Sequence, residues 1–183
     1  MSAIVLVGAP GSGKSAVAAE LSKAGWRVWE SDAAASAATN SSRSEAYLAE
    51  RGDEFAAAAA AAARERLAAL GDSPSAGTAQ NAAPGEVLVF SSEVVDDPAV
   101  RADLARFGAA GGSVVHLDAD LAALTRRLGF TAPGGLAALT PRAMLGQMRR
   151  ERLPLYQQVA TSNVDTSFLT VAEVAARVLG AAL

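Results

Sequence analysis

The segment Ala3-Ile4-Val5-Leu6-Val7-Gly8-Ala9-Pro10-Gly11-Ser12-Gly13-Lys14-Ser15 limits the possible folds of this chain more than any other. The apolar, β-branched run Ala3 to Val7 suits a strand buried on both faces, and such strands belong to parallel sheets. Gly8 to Ser15 fits the pattern Gly, four residues, Gly-Lys-Ser/Thr. After it, Ala16-Val17-Ala18-Ala19-Glu20-Leu21 is a good helix-forming run. The motif therefore falls on a strand-to-helix turn, the context in which its glycines curl the backbone and point N–H groups at phosphate oxygens. In that geometry Gly11, Ser12, Gly13, Lys14, Ser15 and Ala16 cradle a nucleotide's phosphates at a helix N-terminus. Lys14 lies along the β and γ phosphates, and the Ser15 hydroxyl is a Mg²⁺ ligand.

Strands and helices alternate along the remaining chain. The first helix runs from Lys14 to Ala24 and stops at Gly25, and Trp26 to Trp29 is a second strand. That strand delivers Glu30-Ser31-Asp32 to a strand end, where ligands bind in open α/β sheets. If the chain turns there, both carboxylates can reach one cleft, one towards a metal-bound water and one towards a substrate hydroxyl. Acidic pairs at strand ends also serve as solvated turn residues or helix caps.

Residues 33 to 50 predict a short helical excursion, and the eight alanines Ala56 to Ala63 with Arg64 to Leu70 predict a stable helix. Gly71 to Gly85, with Pro74, Gly77 and Pro84, is a loop inserted within the domain. Glu86 to Phe90, Ser113 to Leu117 and Asn163 to Asp165 are the remaining strands. Helices follow over 98–107, 121–128, 142–160 and 171–179, with a disturbance at Pro154. Gly129 to Pro141 is a Gly- and Pro-rich loop, placed where a lid over phosphates would be. His116 lies within a strand and is expected to be packed or hydrogen-bonded; Trp26 and Trp29 are expected to pack against helices. This alternation predicts a three-layer αβα fold with a five-stranded parallel sheet, in a single domain spanning residues 1–183.

A net charge of −3 and 51% hydrophobic content fit an ordered globular chain and argue against nucleic acid as a partner. The chain has no cysteine, which excludes disulfides and fits a reducing cytoplasm. Its first apolar run breaks at Gly8, too short for a leader or a membrane span, so no membrane partner is expected.

The order of these features resembles the shikimate kinase family, a nucleoside-monophosphate-kinase-like group of P-loop enzymes, from Ile4 to about Leu179. Gly8 to Ser15 matches the family's phosphate loop, and Glu30-Ser31-Asp32 stands where the family has Asp-Thr-Asp. Arg152-Leu153-Pro154-Leu155-Tyr156 matches its Arg-x-Pro-Leu-Tyr, and Val164-Asp165-Thr166 its Val-Asp-Thr. The resemblance implies ATP and Mg²⁺ as cofactors, Glu30 with Ser15 near the metal, and Lys14 and Asp32 as catalytic groups. It also implies Asp32 and Arg152 on shikimate, Arg127 on the adenine, an acceptor-binding excursion over 33–70, a lid over 129–141, and a monomer in the cytoplasm.

Departures cluster on the acceptor side. Ala56 stands where the family has a second carboxylate-binding arginine, and Ser91-Ser92-Glu93 replaces its triple glycine. No basic residue lies between Arg127 and Arg142, where the family places a lid arginine. Arg142, Arg149 and Arg51 are the cations available to substitute. Three readings follow: a shikimate kinase, a kinase for another small hydroxylated acceptor, neutral or cationic beside Glu93, and a non-catalytic nucleotide-binding relative.

Overall fold

A computed structural model describes residues 3–70, 85–130 and 136–182, with only the backbone of 136–140. Five strands form one sheet: β1 (Ala3–Val7), β2 (Arg27–Glu30), β3 (Glu86–Val89), β4 (Ser113–Asp118) and β5 (Ser162–Asp165). Their order is β2-β3-β1-β4-β5, and every pairing is parallel. Parallel neighbours need a crossover, and helices supply it. The helices are α1 (Lys14–Lys23), α2 (Ser31–Thr39), α3 (Arg43–Leu48), α4 (Gly52–Ala69), α5 (Pro98–Ala109), α6 (Leu121–Arg127), α7 (Leu136–Val159) and α8 (Val171–Ala181).

The period-2 alternation of β1 divides the core. Ala3, Val5 and Val7 pack with Phe55, Leu88, Phe90, Leu104 and Tyr156 on the side of α4, α5 and α7. Ile4 and Leu6 pack with Val17, Leu21, Val115, Leu117, Val174 and Val178 beneath α1 and α8. The sheet is thus covered on both faces, which makes the three-layer αβα fold anticipated from the alternation of elements.

Four details position the site. The chain runs from β1 to β2 on one side while β4 lies on the other, so the end of β1 is a switch point and opens a crevice. At that end Gly8 has φ +150°, and a Cβ on it would lie 2.4 Å from the Leu117 carbonyl oxygen, so only glycine fits. Helix α2 starts directly at Ser31, with Glu30 as its N-cap in extended conformation, leaving no loop after β2. It packs along α4 through small residues, Ala35 with Ala59 and Ala63 all being fully buried.

Two boundaries differ from expectation: α4 begins at Gly52, before the alanine run, and α7 also begins early. Helix α7 begins at Leu136, within the stretch expected to be loop up to Pro141, and continues through Pro154 to Val159. Leu136-Ala137-Ala138-Leu139 are strong helix formers, and Pro141 removes only one donor, near the helix start. Residues 131–135 of the expected lid and residues 71–84 of the expected insertion lie outside the described residues. His116 is packed as expected: its ring stacks on Tyr156 at 5.0 Å, and its Nδ1 lies 2.9 Å from Asn163 Oδ1.

Candidate active site

The phosphate loop is built from backbone conformation. Gly11 (φ +80°) and Gly13 (φ +102°) take left-handed positions, and Gly13 is the N-cap of α1 without any side-chain cap. The first intrahelical bond is donated by the Val17 N–H to the Gly13 carbonyl, so the amides of the preceding turn remain for an anion. Ser12 is 1% exposed, and its Oγ has no partner within the protein. Unpaired donors around an open concavity at the positive end of a helix fit a polyphosphate.

Lys14 is folded onto this loop. Its ammonium donates to the carbonyl oxygens of Gly8 at 2.7 Å and Ala9 at 3.1 Å. Burial pushes its pKa down to about 8, against the pull of the Asp32, Glu93 and Glu30 charges. The next residue, Ser15, presents its side chain at the exposed first turn of α1.

A cleft of about 370 Å³ extends from the loop, lined by Gly11, Gly13, Lys14, Ser15, Glu30, Asp32, Arg43 and Ser91 among others. The cleft therefore brings together Gly11, Gly13, Lys14 and Ser15 of the expected phosphate loop with both expected carboxylates. The end of β2 is tied to the end of β3, because the Ser91 N–H donates to the buried Ser31 Oγ at 2.8 Å. A larger depression, about 530 Å³, lies between α4 and α5 around Arg64, Asp103 and Arg106, away from every residue singled out above.

Two expected residues sit apart from the cleft wall. The Arg127 guanidinium donates to the Gly11 carbonyl at 3.2 Å, to Thr166 Oγ1 at 3.0 Å and to the Thr166 carbonyl. Thr166 Oγ1 in turn donates to the Ser12 carbonyl at 3.1 Å, so the segment after β5 is fastened to the phosphate loop. Arg152 is held by Asp96, which accepts from Nε at 3.0 Å and from Nη2 at 2.6 Å. The Tyr47 phenol has its pKa raised first by burial and then by Glu93, with Arg43 and Arg152 pulling it the other way.

Sequence reasoning missed Arg43. None of the three candidate substitutes enters the cleft lining: Arg51 pairs with Glu54 at 3.9 Å, Arg149 with Asp118 at 2.9 Å, and Arg142 is exposed. Arg43, the first residue of α3, lies between Asp32 Oδ1 (2.5 Å) and Glu93 Oε1 (2.6 Å). Its guanidinium carbon also stands 5.6 Å from the centre of the Phe55 ring, directly before Ala56 in the chain. A local signal existed: Ser42-Arg43-Ser44-Glu45 is a capping box, and both of its hydrogen bonds form. It marks a helix start at Arg43 but carries no information about long-range partners.

Glu93 is 7% exposed. Burial would raise its pKa, but the Arg43 guanidinium and the Ser92 hydroxyl, 2.9 Å from Oε2, hold it below the usual value. An ionised carboxylate survives there because its charge is paired.

A parallel five-stranded sheet whose first strand ends in an open phosphate loop, facing paired carboxylates, defines a P-loop phosphotransferase of the nucleoside-monophosphate-kinase-like type. No protein-family model matches the chain. It is 31% identical over 172 residues to a shikimate kinase of Thermobifida fusca (strain YX), covering 93% of this chain and 89% of that one. It is 34% identical over 165 residues to a shikimate kinase of Mycobacterium tuberculosis (strain ATCC 25177 / H37Ra), covering 89% and 83%. The chain belongs to the shikimate kinase family. Its fold matches that of a shikimate kinase from Acinetobacter baumannii in complex with shikimate, with a TM-score of 0.73 at 19% identity over 98% of this chain and 91% of the other.

Proposed function

We propose that this chain transfers the γ-phosphoryl group of ATP, in the presence of Mg²⁺, to a hydroxyl of shikimate, giving shikimate 3-phosphate. The observation that carries this reading is the single cleft into which Lys14, Ser15, Glu30 and Asp32 all face. ATP supplies the phosphoryl group, and Mg²⁺ offsets charge on its β and γ phosphates. Among the described residues no cluster of three or more His, Cys, Asp or Glu could hold a metal. Mg²⁺ keeps several waters and takes few protein ligands beside substrate phosphates.

The roles follow from position. The loop amides and Lys14 bind phosphate, Ser15 and Glu30 serve the metal, and Asp32 orients or deprotonates the acceptor hydroxyl. Arg127 supports the adenine, and Arg152 receives the acceptor's carboxylate once Asp96 releases it. Among the described residues no helix is long and apolar enough to cross a membrane. The reading includes a monomer working in the cytoplasm without nucleic acid.

A specific observation favours a second reading. Both arginines on the acceptor side are already ion-paired, Arg43 twice and Arg152 with Asp96. A neutral or cationic hydroxylated acceptor would leave those pairs intact. ADP release with ATP, Mg²⁺ and either shikimate or a panel of neutral and amino polyols separates the two. Shikimate-dependent turnover, lowered about 10² to 10³-fold by Asp32→Asn, is expected. Turnover only with an uncharged or amino acceptor replaces the first reading by the second, and none with any acceptor refutes both.

A further inference from the structure

We propose that Glu93 and Arg43 are positioning residues for phosphoryl transfer, forming a chain Glu93–Arg43–Asp32 that fixes the carboxylate facing the acceptor hydroxyl. The proposal rests on the kinase reading above and assigns work to residues that the reading leaves idle.

The chain is anchored at its far end. The Tyr156 hydroxyl donates to the Ser92 carbonyl at 2.7 Å, and the Ser92 hydroxyl donates to Glu93 Oε2. Glu93 Oε1 then faces Arg43 Nη1, while Arg43 Nη2 donates to Asp32 Oδ1. Glu93 Oε2 is hydrogen-bonded and Oε1 is ion-paired with Arg43 without a hydrogen bond of its own, and the segment continues directly into the buried 3₁₀ turn Val94–Asp96. A buried carboxylate hydrogen-bonded at one oxygen and ion-paired at the other, on a tight turn, has little room to swing.

Arg43 is suited to pass that rigidity on. A guanidinium is a planar fork whose two Nη groups can each serve a different carboxylate at a fixed spacing, which an ammonium on a flexible stem cannot do. The fully buried Phe55 ring lies beneath the guanidinium at cation–π distance, 5.6 Å from its carbon. The backbone under Arg43 is pinned by the capping box of α3. Arg43 therefore engages Asp32 Oδ1 from a fixed direction, and the second oxygen is the one left for an acceptor.

Glu93 is a buried charge, 7% exposed, beside the cleft. Taken alone such a charge is destabilising, and with Arg43 alone it would merely be neutralised. Its geometry instead continues through Arg43 to the carboxylate at the reacting end of the cleft. Misplacing a reactive group by about 1 Å can lower a rate roughly 10²-fold, so a device holding Asp32 is worth the burial of one pair.

The test is steady-state kinetics of the full chain with ATP, Mg²⁺ and shikimate, on Arg43→Lys, Arg43→Met, Glu93→Gln and the uncharged pair Arg43→Met with Glu93→Gln. Arg43→Lys is expected to lower kcat about 30-fold while KM for ATP stays within about twofold. Glu93→Gln is expected to lower kcat about tenfold. The double variant, which removes both charges and so avoids a lone buried acid, is expected to lose no more than Arg43→Met alone, because Glu93 acts only through Arg43. Multiplying losses would overturn the relay, as would unchanged kcat in Arg43→Lys. If the unaltered chain turns over neither shikimate nor any neutral or amino polyol, the kinase reading falls and this assignment falls with it. Turnover by the unaltered chain with indifferent variants refutes the assignment alone.

Discussion

Folding Lys14 onto the loop carbonyls gives nucleotide binding a proton signature. In the free protein burial holds this ammonium at about 8, well below its ordinary 10.5. Phosphates beside it favour the charged form and restore its proton. At pH 8 half of the free molecules lack that proton, so binding should take up about 0.5 proton per site, rising to about 0.9 at pH 9 and falling to about 0.1 at pH 7. By linkage the apparent Kd for MgATP should then be about tenfold weaker at pH 9 than at pH 7. Titration calorimetry in two buffers of different ionisation heat, at each pH, reads the uptake directly. Lys14→Met should abolish its pH dependence. The same sign governs stability without nucleotide: the unfolded chain binds more protons than the folded one between about pH 8 and 10.5, so this residue's contribution becomes more favourable as pH rises through that window. Equal uptake at pH 7 and pH 9 would refute the assignment of a depressed Lys14 at the phosphate seat.

Two further outcomes are expected. Asp96→Asn releases the Arg152 fork from its carboxylate, so KM for shikimate should fall about threefold or more in initial-rate assays, and an unchanged KM would remove Arg152 from the acceptor site. Gly8→Ala sets a methyl 2.4 Å from the Leu117 carbonyl oxygen at a backbone angle alanine avoids, and urea unfolding should report a loss of about 3 kcal/mol, with a loss below about 0.5 kcal/mol contradicting the close approach.

The legible parts of this protein are those fixed by local chemistry. Strands buried on both faces, such as Ile4 to Val7 and Val87 to Val89, are continuous apolar runs, and glycine with lysine at set spacing can make few other turns. Lys14 and Asp32 could be expected at one cleft because both follow strand ends of a parallel sheet. The illegible parts are pairings across the fold. Arg152 meets Asp96 across 56 positions, and Arg43 meets a glutamate that looked, in sequence, like a repulsive charge against an anionic acceptor. Composition also hid α3, since a polar segment with a capping box resembles any surface excursion until its first residue is seen turned inward. The early start of α7 was masked by Pro141, a helix breaker in most contexts that is tolerated here near a helix start.

The alanine run of α4 reaches further than its lack of chemistry suggests. Where α2 lies on it, buried alanines face each other, and small side chains at such a contact let helix axes approach closely. Asp32 sits in the first turn of α2, so the depth at which this acid enters the cleft is set by the thickness of a layer of side chains some distance behind it. Enlarging Ala59 or Ala63 would work as a shim, lifting α2 and moving the acid without touching any residue of the cleft. The spacing between phosphate donor and acceptor is in this sense an adjustable dimension of the scaffold, held at its minimum by the smallest chiral side chain available.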